Sequence, residues 1–230
     1  MIGIIGAMEE EVTALKNEMS ITEEKKIHQI QFYVGSIEKQ AVVLMQGGIG
    51  KVNAAYATTI MMEHFAIDLL INIGSAGGLD TQKNIGDVVV ASSVIHHDFD
   101  CTAFGRAFGE IPDMPLAFEA NSQYMEIVTQ CLEDLKLPYH VGLIVSGDQF
   151  IAQKQQVETI QKHFPKAIAA EMEAASVAQI AYLYHVPFVI LRSLSDVFGK
   201  GNSDMQFDTY LALASKNSAL LTKKVIGALK

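Results

Sequence analysis

The chain has 230 residues, of which half are hydrophobic, so it is long enough to bury a sizeable core. Its 17 basic and 26 acidic residues give a net charge of −9, which argues against a surface built to bind nucleic acid. Only two arginines occur, Arg106 and Arg192, which excludes any site that needs an arginine cluster.

The two cysteines, Cys101 and Cys131, form no CxxC pair, and no Cys/His run has the spacing of a zinc site. A reducing compartment suits such a chain. No basic segment followed by an apolar stretch stands at the N-terminus, and no apolar run approaches the ~20 residues that cross a bilayer. These features predict a cytoplasmic protein without a bound metal or a membrane partner.

Strands and helices alternate along the whole chain. In chain order, the hydrophobic patterns predict strands at 2–6, 27–34, 40–45, 69–73, 87–95, 140–145 and 188–194, and helices at 9–18, 52–65, 124–135, 153–163, 174–184 and 210–229. In the second helix, Val52, Tyr56, Ile60 and Met61 are expected to share one apolar face. The alternation predicts one domain over residues 1–230, with a largely parallel or mixed sheet between two layers of helices.

Ligands of such sheets bind beyond the carboxyl ends of the strands. Five predicted strands are followed there by segments rich in glycine or polar residues, at 6–11, 47–51, 74–78, 146–150 and 195–196. Small residues at a strand end let a ligand approach the backbone closely. The binding site is therefore predicted at this edge of the sheet.

Two of these segments are glycine-rich turns. The 47–51 segment is not a Walker loop, because Val52 stands where Ser or Thr would bind magnesium, and it is not a dinucleotide fingerprint, because Asn53 replaces the last glycine. It is either a tight strand-to-helix turn or a turn that contacts substrate. The 74–78 segment, with Ser75 and Gly77, is either a flexible turn or a backbone cradle for an anion or a sugar.

Carboxylates follow three of the strands. Acidic residues commonly stabilise a helix N-terminus, so of the three glutamates at 9–11 only one, Glu11, is expected to reach the site. If the segment with Glu171 and Glu173 is extended, the two side chains point to opposite sides and one faces the ligand; the alternative is a pair of helix-start charges. Asp196 leaves a buried strand, where burial raises the pKa of a proton donor, unless it is only a turn cap. Glu11, Glu173 and Asp196 are predicted to converge on one rim.

The run His96-His97-Asp98 also carries titratable groups. It could bind a metal or titrate, but adjacent histidines rarely face one ligand. A structural or interface role is the preferred interpretation. No Ser-His-Asp or Cys-His arrangement is evident elsewhere in the chain.

Taken together in chain order, the motifs resemble those of the 5′-methylthioadenosine/S-adenosylhomocysteine nucleosidases of the purine nucleoside phosphorylase superfamily. The resemblance covers essentially the whole chain, through segments 2–11, 48–52, 74–78, 102–105, 142–148, 171–174 and 195–196. It implies a three-layer α/β/α fold with a central mixed, mostly parallel sheet. It also implies cofactor-free hydrolysis of the N-glycosidic bond of methylthioadenosine, S-adenosylhomocysteine and 5′-deoxyadenosine.

The resemblance implies roles for individual residues. Glu11 would activate water, and Asp196, oriented by Ser195, would protonate the purine ring. Glu173 would accept hydrogen bonds from the ribose hydroxyls, and Phe150 would stack on adenine. The other residues expected to contact the substrate are Ala7, Met8, Ile49, Ser75, Gly77, Ile151, Met172 and Phe207.

An apolar slot for the 5′-thio group is also implied. Phe104 and Pro112 of a neighbouring subunit would close this slot, so the resemblance implies a homodimer. The stretch that holds Phe104 also carries Phe99 and Phe108, and aromatics at that density often mark an interface.

Two rival functions remain open at this point. A purine nucleoside phosphorylase binds phosphate, usually through arginines, and here only Arg106 and Arg192 are available while Glu11 would repel the anion. A non-catalytic adenosine-binding module is the second rival. The presence of an acid, a base and a ribose carboxylate argues against it.

Overall fold

The structure is a computed structural model that describes residues 1–201 and 203–229. Its strands are β1 (Ile2–Gly6), β2 (Ser20–Ile27), β3 (Ile30–Ile37), β4 (Gln40–Gln46), β5 (Leu69–Gly78), β6 (Val88–His96), β7 (Phe118–Glu119), β8 (Tyr139–Ser146), β9 (Ala167–Glu171) and β10 (Phe188–Val197). Its helices are α1 (Glu9–Lys16), α2 (Lys51–His64), α3 (Ser122–Leu135), α4 (Lys154–His163), α5 (Ala174–Leu183) and α6 (Ser203–Ala228). A single 3₁₀ turn, Thr102–Phe104, interrupts the long connection between β6 and β7.

The strands form one mixed sheet in the order β10-β6-β8-β9-β5-β1-β4-β3-β2. Strand β10 also pairs with β5, so that part of the sheet closes on itself. Strands β4, β1, β5 and β10 are parallel neighbours, and their carboxyl ends therefore meet at one edge. The antiparallel pairs lie mainly at the β2–β3–β4 end and where β10 meets β6.

Helices cover both faces of the sheet, so its central strands are buried on both sides. Along β1, Ile4 packs with Leu15 and Leu221 on the face covered by α1, α3 and α6. The next residue, Ile5, packs on the opposite face with residues of α2 and α5, as the two-residue period of a strand requires. Central strands such as β1 and β4 are thus largely apolar along their length, and the predicted arrangement of a mixed sheet between helical layers is confirmed.

Several local predictions are wrong. The sequence interpretation missed β2, whose side chains are almost all exposed, and also the short strands β7 and β9. It placed β3 about three residues too early and started the last helix at residue 210 instead of Ser203. In α2 it chose the wrong face, because Val52 is 78% exposed and Tyr56 is also exposed. The buried side of α2 consists of Ala54, Ala57, Thr58 and Met61. Small side chains let this helix pack closely on its neighbours, although they give a weak hydrophobic signal.

Within the described residues, no helix combines the length and the apolar character needed to span a bilayer.

Candidate active site

A cleft of about 290 Å³ opens at the edge where the parallel strands end. Thirteen of the fifteen predicted site residues line it. They are Ala7, Met8, Glu11, Ile49, Ser75, Gly77, Phe150, Ile151, Met172, Glu173, Ser195, Asp196 and Phe207. The sequence interpretation did not include four further lining residues, Ala76, Gln149, Ala170 and Glu171.

Glu11 reaches the cleft from the first turn of α1, whereas its neighbours Glu9 and Glu10 are exposed. Its Oε2 accepts hydrogen bonds from the backbone N–H of Ala7 at 2.8 Å and of Met8 at 3.1 Å. Its Oε1 accepts from the backbone N–H of Ser75 at 3.0 Å. Burial raises the pKa of Glu11, although nearby Arg192 and these hydrogen bonds oppose the shift. The carboxyl is therefore fixed in place and a stronger base than an exposed glutamate.

Glu171 and Glu173 have different partners. Glu171 forms a buried ion pair with Arg192 at 2.6 Å and accepts a short hydrogen bond from the Ser146 hydroxyl. Glu173 accepts a hydrogen bond from the backbone N–H of Gly50 at 2.9 Å and borders the cleft. Among the residues that the structure describes, no side chain forms a hydrogen bond or an ion pair with the Glu173 carboxyl, whereas Arg192 and Ser146 engage Glu171. Glu173 is therefore the carboxyl of the two that is available to a ligand.

Burial raises the pKa of Glu173 to about 8, with a further rise from Glu171 and an opposing effect of Arg192. The folded chain thus holds a proton that the unfolded chain releases at lower pH. Stability conferred by this proton is present at low pH and is lost as the pH rises towards 8.

We expect the Glu173→Gln variant to remove this pH dependence. Each unit of pKa difference is worth ~1.4 kcal/mol, so the wild type should lose several kcal/mol relative to the variant between about pH 5 and 8. Thermal unfolding at half-unit pH steps measures the difference. Glu119→Gln, which alters an exposed carboxyl on β7, is the control and should follow the wild type. A constant difference in Tm between wild type and Glu173→Gln over this range would contradict the prediction.

Asp196 stands near the end of β10, after a register shift between Leu194 and Asp196 in the pairing with β5. The side chain is buried, and the hydroxyl of Ser195 donates to its Oδ1 at 3.1 Å. A Cβ at Gly77 would lie only 3.1 Å from Oδ2 of Asp196, so glycine at this position leaves room for the carboxyl. The irregular strand end and the glycine together aim Asp196 into the cleft.

The remaining wall of the cleft is apolar. The rings of Phe150 and Phe207 meet edge to face, with centroids 5.7 Å apart and planes at 78°. Met8 and Ile49 line the same cleft, and Ile49 is 52% exposed at its rim. The cleft combines this apolar wall with four carboxyls, of which Glu171 is paired with Arg192, and so suits a ligand that has one flat or apolar part and one part rich in hydroxyls.

Two predicted residues lie outside this cleft. Phe104 is 85% exposed and Pro112 is also exposed, and neither lines the cleft of its own chain. Both arginines have carboxylate partners. Arg106 pairs with Glu110 at 2.8 Å on the surface, and Arg192 is buried against Glu171. Neither arginine lines the cleft, so no arginine side chain is placed there to bind phosphate.

In the His96-His97-Asp98 run, the two histidines are buried and Asp98 is partly exposed. His96 Nε2 lies 3.0 Å from Oε1 of Gln179 on α5, and burial lowers the pKa of both histidines. Asp98 pairs with Lys51 at 2.5 Å. The described part of the chain contains no cluster of three or more His, Cys, Asp or Glu side chains placed to hold a metal ion. The two histidines are thus buried inside the protein, and Asp98 forms an ion pair at the start of α2.

Sequence reasoning did not find the network beneath the cleft. Arg192 donates from Nη2 to Asn72 Oδ1 and to Glu171 Oε2, each at 2.6 Å. The one available signal was a charged residue inside the otherwise apolar strand 188–194, since a buried charge requires a partner. The partners themselves come from β5 and β9, which are distant in sequence.

Comparison with known proteins places this site in a family. A model of the phosphorylase superfamily matches residues 1–227. The 5′-methylthioadenosine/S-adenosylhomocysteine nucleosidase of Staphylococcus aureus (strain COL) is 45% identical over 229 residues, which covers 100% of both chains. The chain belongs to this nucleosidase family. The family resemblance predicted from the sequence motifs is thus confirmed.

Solved structures of nucleosidases share the fold. The Streptococcus pneumoniae nucleosidase with the transition-state inhibitor MT-ImmA matches with a TM-score of 0.94 and 37% identity over 100% of this chain and 99% of that one. The Colwellia psychrerythraea nucleosidase in complex with adenine matches with a TM-score of 0.96 and 40% identity over 100% and 95%. The futalosine hydrolase of Helicobacter pylori also matches, with a TM-score of 0.93 and 31% identity over 99% and 97%. The predicted nucleoside phosphorylase-like fold is confirmed.

Proposed function

We propose that this member of the nucleosidase family hydrolyses the N-glycosidic bond of 5′-methylthioadenosine and S-adenosylhomocysteine, and also of 5′-deoxyadenosine. The products are adenine and the 5-substituted ribose. The observation that carries the proposal is the convergence of Glu11, Glu173 and Asp196 on one cleft that also has an aromatic wall. Such an activity serves methionine salvage and the recycling of methyl-transfer products.

The mechanism follows from the charges that develop as the bond breaks. Cleavage between C1′ and N9 leaves positive charge on the ribose and negative charge on the purine. Asp196, oriented by Ser195, donates a proton to N7 of the purine and so makes adenine a neutral leaving group. Glu11 removes a proton from water as the water oxygen attacks C1′, and its carboxylate stabilises the cationic ribose. Glu173 accepts hydrogen bonds from the ribose hydroxyls.

Hydrolysis is favoured over phosphorolysis by the electrostatics of the cleft. Phosphate needs cationic donors, and both arginines are engaged by Glu110 and Glu171. Glu11 stands where the nucleophile must approach and would repel a phosphate dianion. Water carries no charge and can be deprotonated by the same carboxyl.

The proposal is tested by measuring adenine release from methylthioadenosine and S-adenosylhomocysteine with and without phosphate. The expected result is a rate that does not depend on phosphate, with free 5-methylthioribose as the co-product of methylthioadenosine and free ribose bearing the 5-homocysteinyl group as that of S-adenosylhomocysteine. Strict dependence on phosphate with a ribose 1-phosphate product would establish a phosphorylase instead. Binding of the nucleosides without any adenine release would establish a non-catalytic module.

A homodimer and a cytoplasmic location complete the proposal. Val52 and Tyr56 are exposed four residues apart on one face of α2, and the exposed Ile49 lies two residues before the helix begins. Ile49 also borders the cleft, which places this apolar face beside the cleft mouth. Phe104 is another exposed aromatic residue and is well suited to a contact with a second copy. Both cysteines are free thiols, as suits a reducing compartment.

We expect Phe104→Ala to impair the hydrolysis of methylthioadenosine more than that of adenosine. In the proposed dimer Phe104 closes the slot for the 5′ substituent of the partner's substrate. An apolar contact of this kind is worth roughly 10–200-fold in selectivity. Steady-state kinetics should show a larger rise in KM for methylthioadenosine than for adenosine.

Light scattering on the same samples checks the assembly, and the wild type should have the mass of a dimer. Leu116→Ala, another exposed apolar residue of the β6–β7 connection, is a matched control for loss of surface. A fully active monomer, or equal losses on both substrates in Phe104→Ala, would remove the shared slot and leave the single-chain assignments of Glu11 and Asp196.

A further inference from the structure

Three charged residues meet just outside the cleft, where three segments converge. Lys51 begins α2, Asp98 follows β6 and Asp148 follows β8. The Lys51 Nζ donates to Asp98 Oδ1 at 2.5 Å, the backbone N–H of Asp148 donates to Asp98 Oδ2 at 2.9 Å, and the backbone N–H of Lys51 donates to Asp148 Oδ1 at 2.8 Å. These contacts form a closed triangle, the Lys51–Asp98–Asp148 cluster. None of its members lines the cleft.

Lys51 connects the cluster to Glu173, because the preceding residue, Gly50, donates a hydrogen bond to the Glu173 carboxylate. Two successive amides at the start of α2 are held by carboxylates, since Gly50 N–H donates to Glu173 at 2.9 Å and Lys51 N–H donates to Asp148 at 2.8 Å. Gly50 has a φ of 93°, and a Cβ there would lie 3.1 Å from the Asp148 carboxylate. The position of Glu173 therefore depends on where the start of α2 is held.

Asp148 connects the cluster to the aromatic wall of the cleft, which contains Phe150. Asp148 is followed by Gln149 and Phe150, which both line the cleft. These residues lie between β8 and α4, outside any strand or helix, so regular backbone pairing does not fix them. The hydrogen bond from the Asp148 N–H to Asp98 ties this segment to the end of β6.

The carboxylate of Asp98 accepts hydrogen bonds from both Lys51 and Asp148. Burial acts to raise the pKa of Asp98, but hydrogen bonds from Lys51 and from the Asp148 backbone outweigh it and hold the pKa below its usual value. Both partners are donors, so the aspartate accepts two charge-assisted or backbone hydrogen bonds at once. An amide at this position would place its own N–H₂ group against one of the donors.

We propose that Asp98 is a positioning residue of the nucleosidase reaction, which fixes Glu173 through Lys51 and Phe150 through Asp148. The inference rests on the proposed function, because it assigns Glu173 to the ribose and Phe150 to adenine. Both are binding contacts and neither moves a proton. Loss of Asp98 should therefore weaken substrate binding much more than it slows the chemical step.

The test compares Asp98→Asn, Lys51→Met and the double variant. Hydrogen bonds to charged groups contribute enough for about a tenfold change in binding. For Asp98→Asn we expect about a tenfold rise in KM for methylthioadenosine and in the Kd of adenine by calorimetry, with kcat within about threefold of the wild type. The double variant should be no worse than Asp98→Asn, because residues that act as one unit are not additive.

Two control variants separate positioning from general damage. Asp134→Asn breaks the ion pair with Lys224, which lies 3.4 Å away outside the cleft, and removes the same charge. Val128→Ala truncates a buried side chain on α3 and lowers stability without contact with the cluster. Both controls should keep the wild-type KM. An unchanged KM in Asp98→Asn, or an equal rise in a control of matched Tm, would overturn the proposal.

Failure of the proposed function gives a different result. If the wild type releases no adenine, the nucleosidase assignment fails. Crystal structures of the wild type and Asp98→Asn then test the positioning role of Asp98 independently of activity. A displaced 147–150 segment together with a moved Glu173 side chain would support the positioning role. An unchanged backbone and an unchanged Glu173 would overturn it.

Discussion

Adenine release by the Asp196→Asn variant should fall by ~10²–10⁴-fold, with little change in the KM for methylthioadenosine. The carboxyl lies buried beside the Ser195 hydroxyl, and its proposed task is to give a proton to the leaving purine. An asparagine has nearly the same shape, so it keeps the packing against Gly77, but it has no acidic proton to donate. Single-turnover kinetics measures the chemical step directly.

Ser195→Ala tests the orientation of the acid separately from its proton. It removes the hydroxyl that donates to Asp196 at 3.1 Å but leaves the acid itself, so its loss of rate should be smaller. A rate for Asp196→Asn within a few-fold of the wild type would show that another group supplies the proton.

The Glu11→Gln variant should lose hydrolysis by at least ~10²-fold, because an amide cannot take a proton from water. Both oxygens of Glu11 accept hydrogen bonds, from Ala7 and Met8 on one side and from Ser75 on the other. A glutamine must turn its N–H₂ group towards one of these donors, so some loss of stability accompanies the loss of activity. Thermal unfolding and adenine binding separate the two effects.

Glu9→Gln and Glu10→Gln are the matched controls on the same helical turn. Both side chains are exposed at the start of α1, where a negative charge contributes only ~0.3–1 kcal/mol. They should therefore retain nearly all activity. Comparable losses in all three variants would mean that the helix start, and not the Glu11 carboxyl, is what catalysis requires.

Much of the fold is predictable because its signals are local. The run 69–73 is apolar except for Asn72, which indicates a strand buried on both faces, and the glycines after it indicate where the chain turns. The edge strand β2 carries Glu23, Glu24, Lys25 and Lys26, and no apolar alternation reveals it. It pairs with β3 in the folded sheet, although its own side chains are exposed.

The face of α2 shows a second limit of local signals. The large apolar residues Val52 and Tyr56 dominate the pattern, yet Ala54 and Ala57 are the ones that pack inside. A helix that approaches its neighbours closely must present small side chains to them, so the size of a residue is a poor guide to its burial here.

The sequence by itself determined the order of most strands and helices, the polar groups at the strand ends and the scarcity of arginine, because these are properties of single segments. Only the tertiary structure decided that Arg192 pairs with Glu171 and donates a hydrogen bond to Asn72. Glu173 is therefore the carboxyl that remains available to a ligand. The high pKa of Glu173 and the hydrogen bonds that join Asp98 to Lys51 and Asp148 also depend on the tertiary structure. The physical reason is that burial and pairing depend on which distant segments meet, and residues such as 50, 98, 148 and 173 become neighbours only when the sheet has formed.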